Sequence, residues 1–347
     1  MTALKTTIDN YRFKAMIGVG GVGSGSFFLL NGNHTIGREE SRSGSFINRR
    51  DYCKLHIISH YVQTLLGSEF KVIPLGLVGD DDIGYKLKDE MSATGMILDY
   101  METSKGNPTL FSFCFIYPDG SGGNLTTNDS ACSKVDAFFV EKSESEFKRF
   151  ADHGIALAAP EVSLQARMKL LELATKYNFF RVASFTSEEM HSAIESDIMA
   201  RIDLLAINLD EAAAAAEMSV EDNDVKSIIE SAIKKFGRIN EKMFISITKG
   251  KDGSWSWDGS TLHHVPIHKV KVESTAGAGD AHLAGLITGL TVGLSLQEAQ
   301  KLATLVGSLS VTSPHTINKE VDRHSLRLLA DKSKESIVKN VYNLLEK

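Results

Sequence analysis

Apolar positions along this chain follow two rhythms, which change over near residue 154. In the first part, the apolar run Phe13–Val19 ends in glycines, the pattern of a buried strand closed by a turn. Asp51–Leu66 repeats apolar residues at helical spacing, with Leu55, Ile58, Val62 and Leu65 on one face. A strand is predicted at Lys71–Leu77, a helix at Ile83–Thr94 stopped by Gly95, and a strand near Ile97–Met101. Leu110–Tyr117, the turn Pro118-Asp119-Gly120 and Leu125–Asn128 read as a hairpin.

After residue 154, short apolar runs at Ile155–Ala158, Phe180–Ser184, Leu204–Ile207 and Phe244–Ile247 alternate with helical segments. Runs without a polar face are strands covered on both sides. The pattern therefore predicts an α/β fold, a mostly parallel sheet with helices on both faces. Trp255–Trp257 and Thr261–Val265 are turn-linked strands, and helices follow at Ala281–Leu290, Leu296–Thr312 and Glu335–Leu345. Residues 26–48 and 109–128 do not fit the alternation. They are assigned to a small β lid inserted in one domain spanning residues 1–347.

Composition narrows the function classes. A net charge of -6 with no Lys/Arg block gives no general attraction to nucleic acid or to an anionic membrane. No stretch approaches the roughly eighteen consecutive apolar residues that a membrane span needs. The opening MTALKTTIDNYRF lacks the apolar run of a signal peptide. Cys53, Cys114 and Cys132 are odd in number and without CxxC spacing, so free thiols in a reducing cytoplasm are expected. His263, His264 and His268 lack metal-ligand spacing and read as packing or surface residues.

The chemistry concentrates in Thr275-Ala-Gly-Ala-Gly-Asp280, which runs into the helix predicted at Ala281–Leu290. Glycines just before a helix let backbone approach an anion closely, and the free amides at the positive end of the helix favour phosphate. A carboxylate beside such a cradle supplies a proton acceptor, the pairing that phosphoryl transfer to a hydroxyl requires.

Residues 274–285, Ser-Thr-Ala-Gly-Ala-Gly-Asp-Ala-His-Leu-Ala-Gly, resemble the DTxGAGDxFxxG signature of the ribokinase-like (PfkB) carbohydrate and nucleoside kinases. Three further segments stand in that family's order. Asn208-Leu-Asp-Glu211 is similar to its NxxE motif, Ile247-Thr-Lys-Gly250-Lys-Asp-Gly253 to its strand-plus-glycine segment, and Leu75–Gly84 to its GxVGxDxxG segment. The resemblance implies ATP-dependent phosphorylation of a sugar or sugar-like molecule. Asp280 is then the general base and Gly277, Ala278 and Gly279 form the anion hole. Asn208, Thr248, Gly250 and Gly253 line the nucleotide, and Glu211 acts on Mg²⁺ through water. It also implies a homodimer formed through the lid. Lys249 is either a phosphate contact or a solvated lysine, and Asn208 is also a favoured helix cap.

Departures from the signature concern the acceptor. Relatives carry an Asp after the first strand and a GGxxxN segment at the next helix. This chain has Gly18–Gly25 without an Asp, and Cys53-Lys54 at the glycine pair. Gly20, Asn33, Glu39, Arg42 and Asp51, with His34, Arg50 and His56, are the candidates for a rebuilt grip. With Arg42, Arg50 and Lys54 as members, the pocket is expected to suit an acidic or otherwise modified sugar rather than ribose or adenosine. Ser274 stands where K⁺-activated relatives have an Asp, so weak K⁺ activation is expected. Three other readings compete. One is a nucleoside kinase of the same family. Another is a dinucleotide-dependent oxidoreductase using Gly18, Gly20 and Gly23, and the last is a catalytically silent sensor.

Overall fold

The computed structural model describes residues 2–119, 122–333 and 338–346. Its strands are β1 Ala15–Val19, β2 Gly23–Leu30, β3 Gly44–Tyr52, β4 Lys71–Gly79, β5 Met101–Ser104, β6 Leu110–Ile116 and β7 Gly122–Thr126, then β8 Gly154–Ala158, β9 Phe180–Ala183, β10 Leu204–Asn208, β11 Phe244–Thr248, β12 Ser254–Trp257 and β13 Leu262–Val265. Nine of them form one sheet in the order β13-β12-β11-β10-β9-β8-β1-β4-β5. Pairing is parallel from β11 through to β5, and antiparallel only at β11-β12-β13.

Strand β1 shows why the sheet is covered twice. Met16 packs into one core cluster, while Ile17 and Val19 pack into the other. One layer holds the helices Lys54–Leu66, Ala278–Thr291 and Leu296–Ser310; the other holds Leu164–Lys176, Leu209–Ala216 and Val225–Ile239. Leu55 through Leu66 are all buried, because the helix Lys54–Leu66 also packs against Ala278–Thr291. Its apolar stripe predicted only one covered face.

From β1 the chain moves to β4 and β5, whereas from β8 it moves the other way, to β9, β10 and β11. The carboxyl ends of β1 and β8 therefore flank a topological switch point, where α/β sheets open a ligand crevice.

The remaining strands make a second, four-stranded sheet ordered β3-β2-β6-β7, built from the two segments that broke the alternation. Strand β2 pairs antiparallel with β3 and parallel with β6. Asp81 anchors this lid at its base. Its carboxylate accepts from Gly84 at the start of the helix Asp82–Thr94, and from both the amide (2.7 Å) and hydroxyl (2.6 Å) of Thr109 just before β6.

Several boundaries differ from expectation. The helix expected from Asp51 begins at Lys54, because Asp51 pairs with Gly25 in the lid sheet and the Tyr52 amide donates to Thr316 Oγ1. The strand expected near Ile97 begins at Met101, because the chain turns at residues 99–100 before pairing with Gly76. The last helix is Lys339–Leu345; residues 335–337 of its predicted span lie outside the described residues, as does Gly120 of the hairpin turn. The helix Arg323–Lys332 was not predicted.

Candidate active site

The glycine motif forms the start of the helix Ala278–Thr291, with Gly277 as its N-cap at φ 78°. A side chain there is strained, and a Cβ would stand 2.6 Å from the Thr316 carbonyl oxygen, so only glycine fits. The Ala278 amide donates to the Thr275 carbonyl and the Ala281 amide to the Gly277 carbonyl. The Ala278 amide is therefore already engaged within its own turn. The amides of Gly279 and Asp280, without a helical acceptor at this terminus, are the better donors. Asp280 is partly buried in the first turn. Burial pushes its carboxyl above the usual range, the Lys54 ammonium opposes that, and the Asp51 charge adds to it.

Asp280 and Gly279 share a small cavity with Lys54, Asn208, Glu211 and Thr248. Asn208 and Thr248 are paired residues at the carboxyl ends of β10 and β11, which places both side chains at one edge of the sheet. Asn208 does cap the next helix: its Oδ1 accepts from the Glu211 amide, and Glu211 Oε2 accepts from the Asn208 amide, each at 2.8 Å. The other Glu211 oxygen lies 3.6 Å from the Lys54 ammonium. Burial raises the Glu211 carboxyl, while Lys54 and the Asn208 amide lower it. Ser184 Oγ, Ser246 Oγ and His282 Nε2 are buried without partners among the described residues, and all three residues line this cavity. Orphaned polar atoms beside a carboxylate suit phosphate oxygens and a hydrated Mg²⁺. His282 takes the place of the signature's Phe, and burial holds its imidazole neutral, down at about 4.

A second group of side chains gathers at the switch point. Glu161, just past β8, has φ 73° and a buried Oε2 without a partner among the described residues. Gly21 makes room for it, since a Cβ there would stand 2.6 Å from that oxygen. Burial lifts the Glu161 carboxyl to about 7, against the Cys53 thiol and Lys54, which lower it. Asp51 reaches in from β3, with its Oδ2 3.6 Å from the Cys114 thiol. Burial raises its carboxyl, while Cys114 and the Tyr52 amide lower it. Glu161 was missed by sequence reasoning. Its signal was a carboxylate three residues beyond the apolar run Ile155–Ala158.

The remaining expected residues lie outside these two groups of side chains. Gly250 (φ 40°) and Gly253 (φ 92°) form the turn after β11, and Lys249 pairs with Asp252 at 3.1 Å on its solvent side. Gly20 lies between Ala159 and Leu55 and serves close packing. Asn33, Glu39 and Arg42 sit in the exposed loop between β2 and β3, and no contact among the described residues joins them to Asp280. Arg42 donates to Glu40 and to the His34 carbonyl, and the Asn33 side chain accepts from the Asp119 amide. Arg50 turns to Glu90 at 2.8 Å. The arginines that suggested an acidic acceptor are thus committed elsewhere. The dinucleotide reading also fails, because the glycine run leads into strand β2 rather than a helix.

Residues 60–323 match the profile of the pfkB family carbohydrate kinases. Fructoselysine 6-kinase of Shigella flexneri is 23% identical over 234 residues, which cover 67% of this chain and 80% of that one. Among solved structures, ribokinase of Cryptococcus neoformans in complex with ADP superimposes with a TM-score of 0.74 at 18% identity, covering 92% of this chain and 99% of its own. A nucleoside kinase of Burkholderia thailandensis in complex with inosine gives 0.71 at 16% identity, covering 91% and 97%. With the family profile spanning most of its length, and the glycine motif and Asp280 standing together at the start of the helix Ala278–Thr291, the chain belongs to the pfkB family of carbohydrate kinases.

Proposed function

We propose that this kinase transfers the γ-phosphoryl group of ATP to a hydroxyl of a sugar-like small molecule, with Asp280 as general base. The carrying observation is that Asp280 and the amides beginning its helix open on the same cavity as Lys54, Asn208, Glu211 and Thr248. Asp280 takes the hydroxyl proton as the alcohol oxygen bonds to phosphorus and the bond to the ADP oxygen breaks, with its electrons leaving on ADP. The amides of Gly279 and Asp280, with those of Gly277 and Ala278 around them, stabilise the charge on the phosphoryl oxygens. Thr248, Gly250 and Gly253 line the nucleotide. Asn208 and Glu211 would hold Mg²⁺ through water, which neutralises phosphate charge when bound. Lys54, between Glu211 and the charge of Asp280, adds a fixed positive charge to the same cleft.

The lid closes over the acceptor and excludes water, which limits wasteful hydrolysis of ATP. Its outer face pairs two copies of the chain. Phe28, Phe46 and Phe113 cluster there beside Leu125, with Phe46 69% and Leu125 64% exposed, and an apolar face of that kind is better covered than wet.

ATP consumption with a panel of sugars, amino sugars, polyols and nucleosides tests the reaction. Asp280→Asn should lower kcat by ~10²–10⁴ and leave ADP affinity intact. Activity within about twofold of wild type, well below the usual loss of a general base, would remove Asp280 from the role.

A further inference from the structure

The acceptor end of the cleft gathers three carboxyls, those of Asp51, Glu161 and Asp280, against one ammonium, that of Lys54, among the described residues. Asp51, Glu161 and Asp280 are close enough that each feels the charge of another, and Glu211 draws Lys54 from the nucleotide side at 3.6 Å. Glu161 Oε2 has no partner among the described residues, and the donors that reach the carboxylates of Glu161 and Asp51 there are the Cys53 thiol, the Cys114 thiol and the Tyr52 amide. Thiols are weak donors. Arg42 and Arg50 are turned away to Glu40 and Glu90. A magnesium-bound nucleotide stays net negative, so its arrival does not relieve the imbalance. A neutral hydroxyl would offer these oxygens one donor. An ammonium offers several and a charge, in a partly buried setting where such attraction exceeds its strength in water.

We infer that the acceptor is a cationic amino compound, a sugar or polyol whose ammonium group lies between Asp51 and Glu161 while its reacting hydroxyl faces Asp280. This rests on the kinase reading above and specifies its substrate class. The same carboxylates repel acidic sugars, which reverses the expectation drawn from Arg42 and Arg50.

The test uses matched pairs: D-fructose with 1-amino-1-deoxy-D-fructose, and D-glucose with D-glucosamine, each amine also in N-acetylated form, with D-gluconate as the acidic arm. ATP consumption and calorimetric binding in the presence of ADP are both read. In at least one pair the ammonium form should lead its neutral partners by about tenfold or more in kcat/KM or Kd, about 1.4 kcal/mol. Asp51→Asn and Glu161→Gln should each cut that lead to about threefold or less, while ADP binding persists. Equal use of neutral and cationic members in every pair, no binding by any amine, tighter binding of gluconate, or a preference that survives both substitutions would each overturn the inference. The two readings fail separately. A protein that phosphorylates neutral members equally well remains a kinase without this specificity. One that binds amines selectively yet transfers no phosphoryl group keeps the specificity and loses the reaction.

Discussion

Gly277→Ala perturbs the proposed anion hole through a single methyl group. The residue holds φ 78°, a left-handed conformation that costs an L residue ~1–2 kcal/mol. The added Cβ would stand 2.6 Å from the Thr316 carbonyl oxygen, too close for any real contact, so one side must move. Thr316 is poorly placed to yield. It is buried, its amide donates to the Arg50 carbonyl at 3.1 Å, and its hydroxyl accepts from the Tyr52 amide at 3.0 Å. Weakening both bonds adds ~0.5–1.5 kcal/mol each, for a total of roughly 2–5 kcal/mol if the loop is forced aside. If the glycine motif moves instead, the amides of Gly279 and Asp280 lose their aim, and a misdirected donor of this kind costs ~10²–10³ in kcat. Thermal unfolding and steady-state kinetics on the same preparation capture either route. Gly279→Ala is the control for stability, since its methyl would meet only Thr248 Oγ1, at 3.8 Å. Gly277→Ala with Tm within ~1 °C and kcat/KM within about twofold of wild type would refute both the strain and its catalytic consequence.

Glu161 predicts a pH dependence of stability. Its carboxyl rises from 4.5 to about 7 on folding, so the folded state holds the proton more tightly, and stability falls as pH rises between those values. At ~1.4 kcal/mol per unit the full effect is roughly 3 kcal/mol; Glu161→Gln should flatten the wild-type decline in Tm between about pH 5 and 7.5, and parallel curves would contradict it. K⁺ should raise kcat/KM less than about tenfold over a large organic cation at equal ionic strength, because Ser274 brings a hydroxyl that already accepts from the Ala276 amide, and Arg49 donates to the Glu273 carbonyl beside it. Sedimentation should find a dimer that Phe46→Glu converts to monomer; a wild-type monomer at micromolar concentration would sink the lid interface.

The strand–helix alternation after residue 154 and the Asp280 motif were legible in the sequence because both depend on near neighbours. A short apolar run is a strand wherever it is covered twice, and glycines before a helix make an anion cradle from local backbone geometry alone. The two segments that broke the alternation were recognisable as a β layer for the same reason. The proposed acceptor pocket was legible only in part: Asp51 stood among its candidates and Glu161 did not. Asp51 belongs to it because Tyr52 is held by Thr316, 264 positions away in sequence, which keeps residue 51 in a strand rather than a helix. Glu161 belongs to it because β8 lies beside β1, which brings the carboxylate over Gly21. Arg42 and Arg50, equally attractive as residue types, were lost to Glu40 and Glu90. Local pattern thus determined the reaction, while the charge proposed to select the acceptor was decided by which distant carboxylates the sheet order brought together and which cations other partners had already claimed.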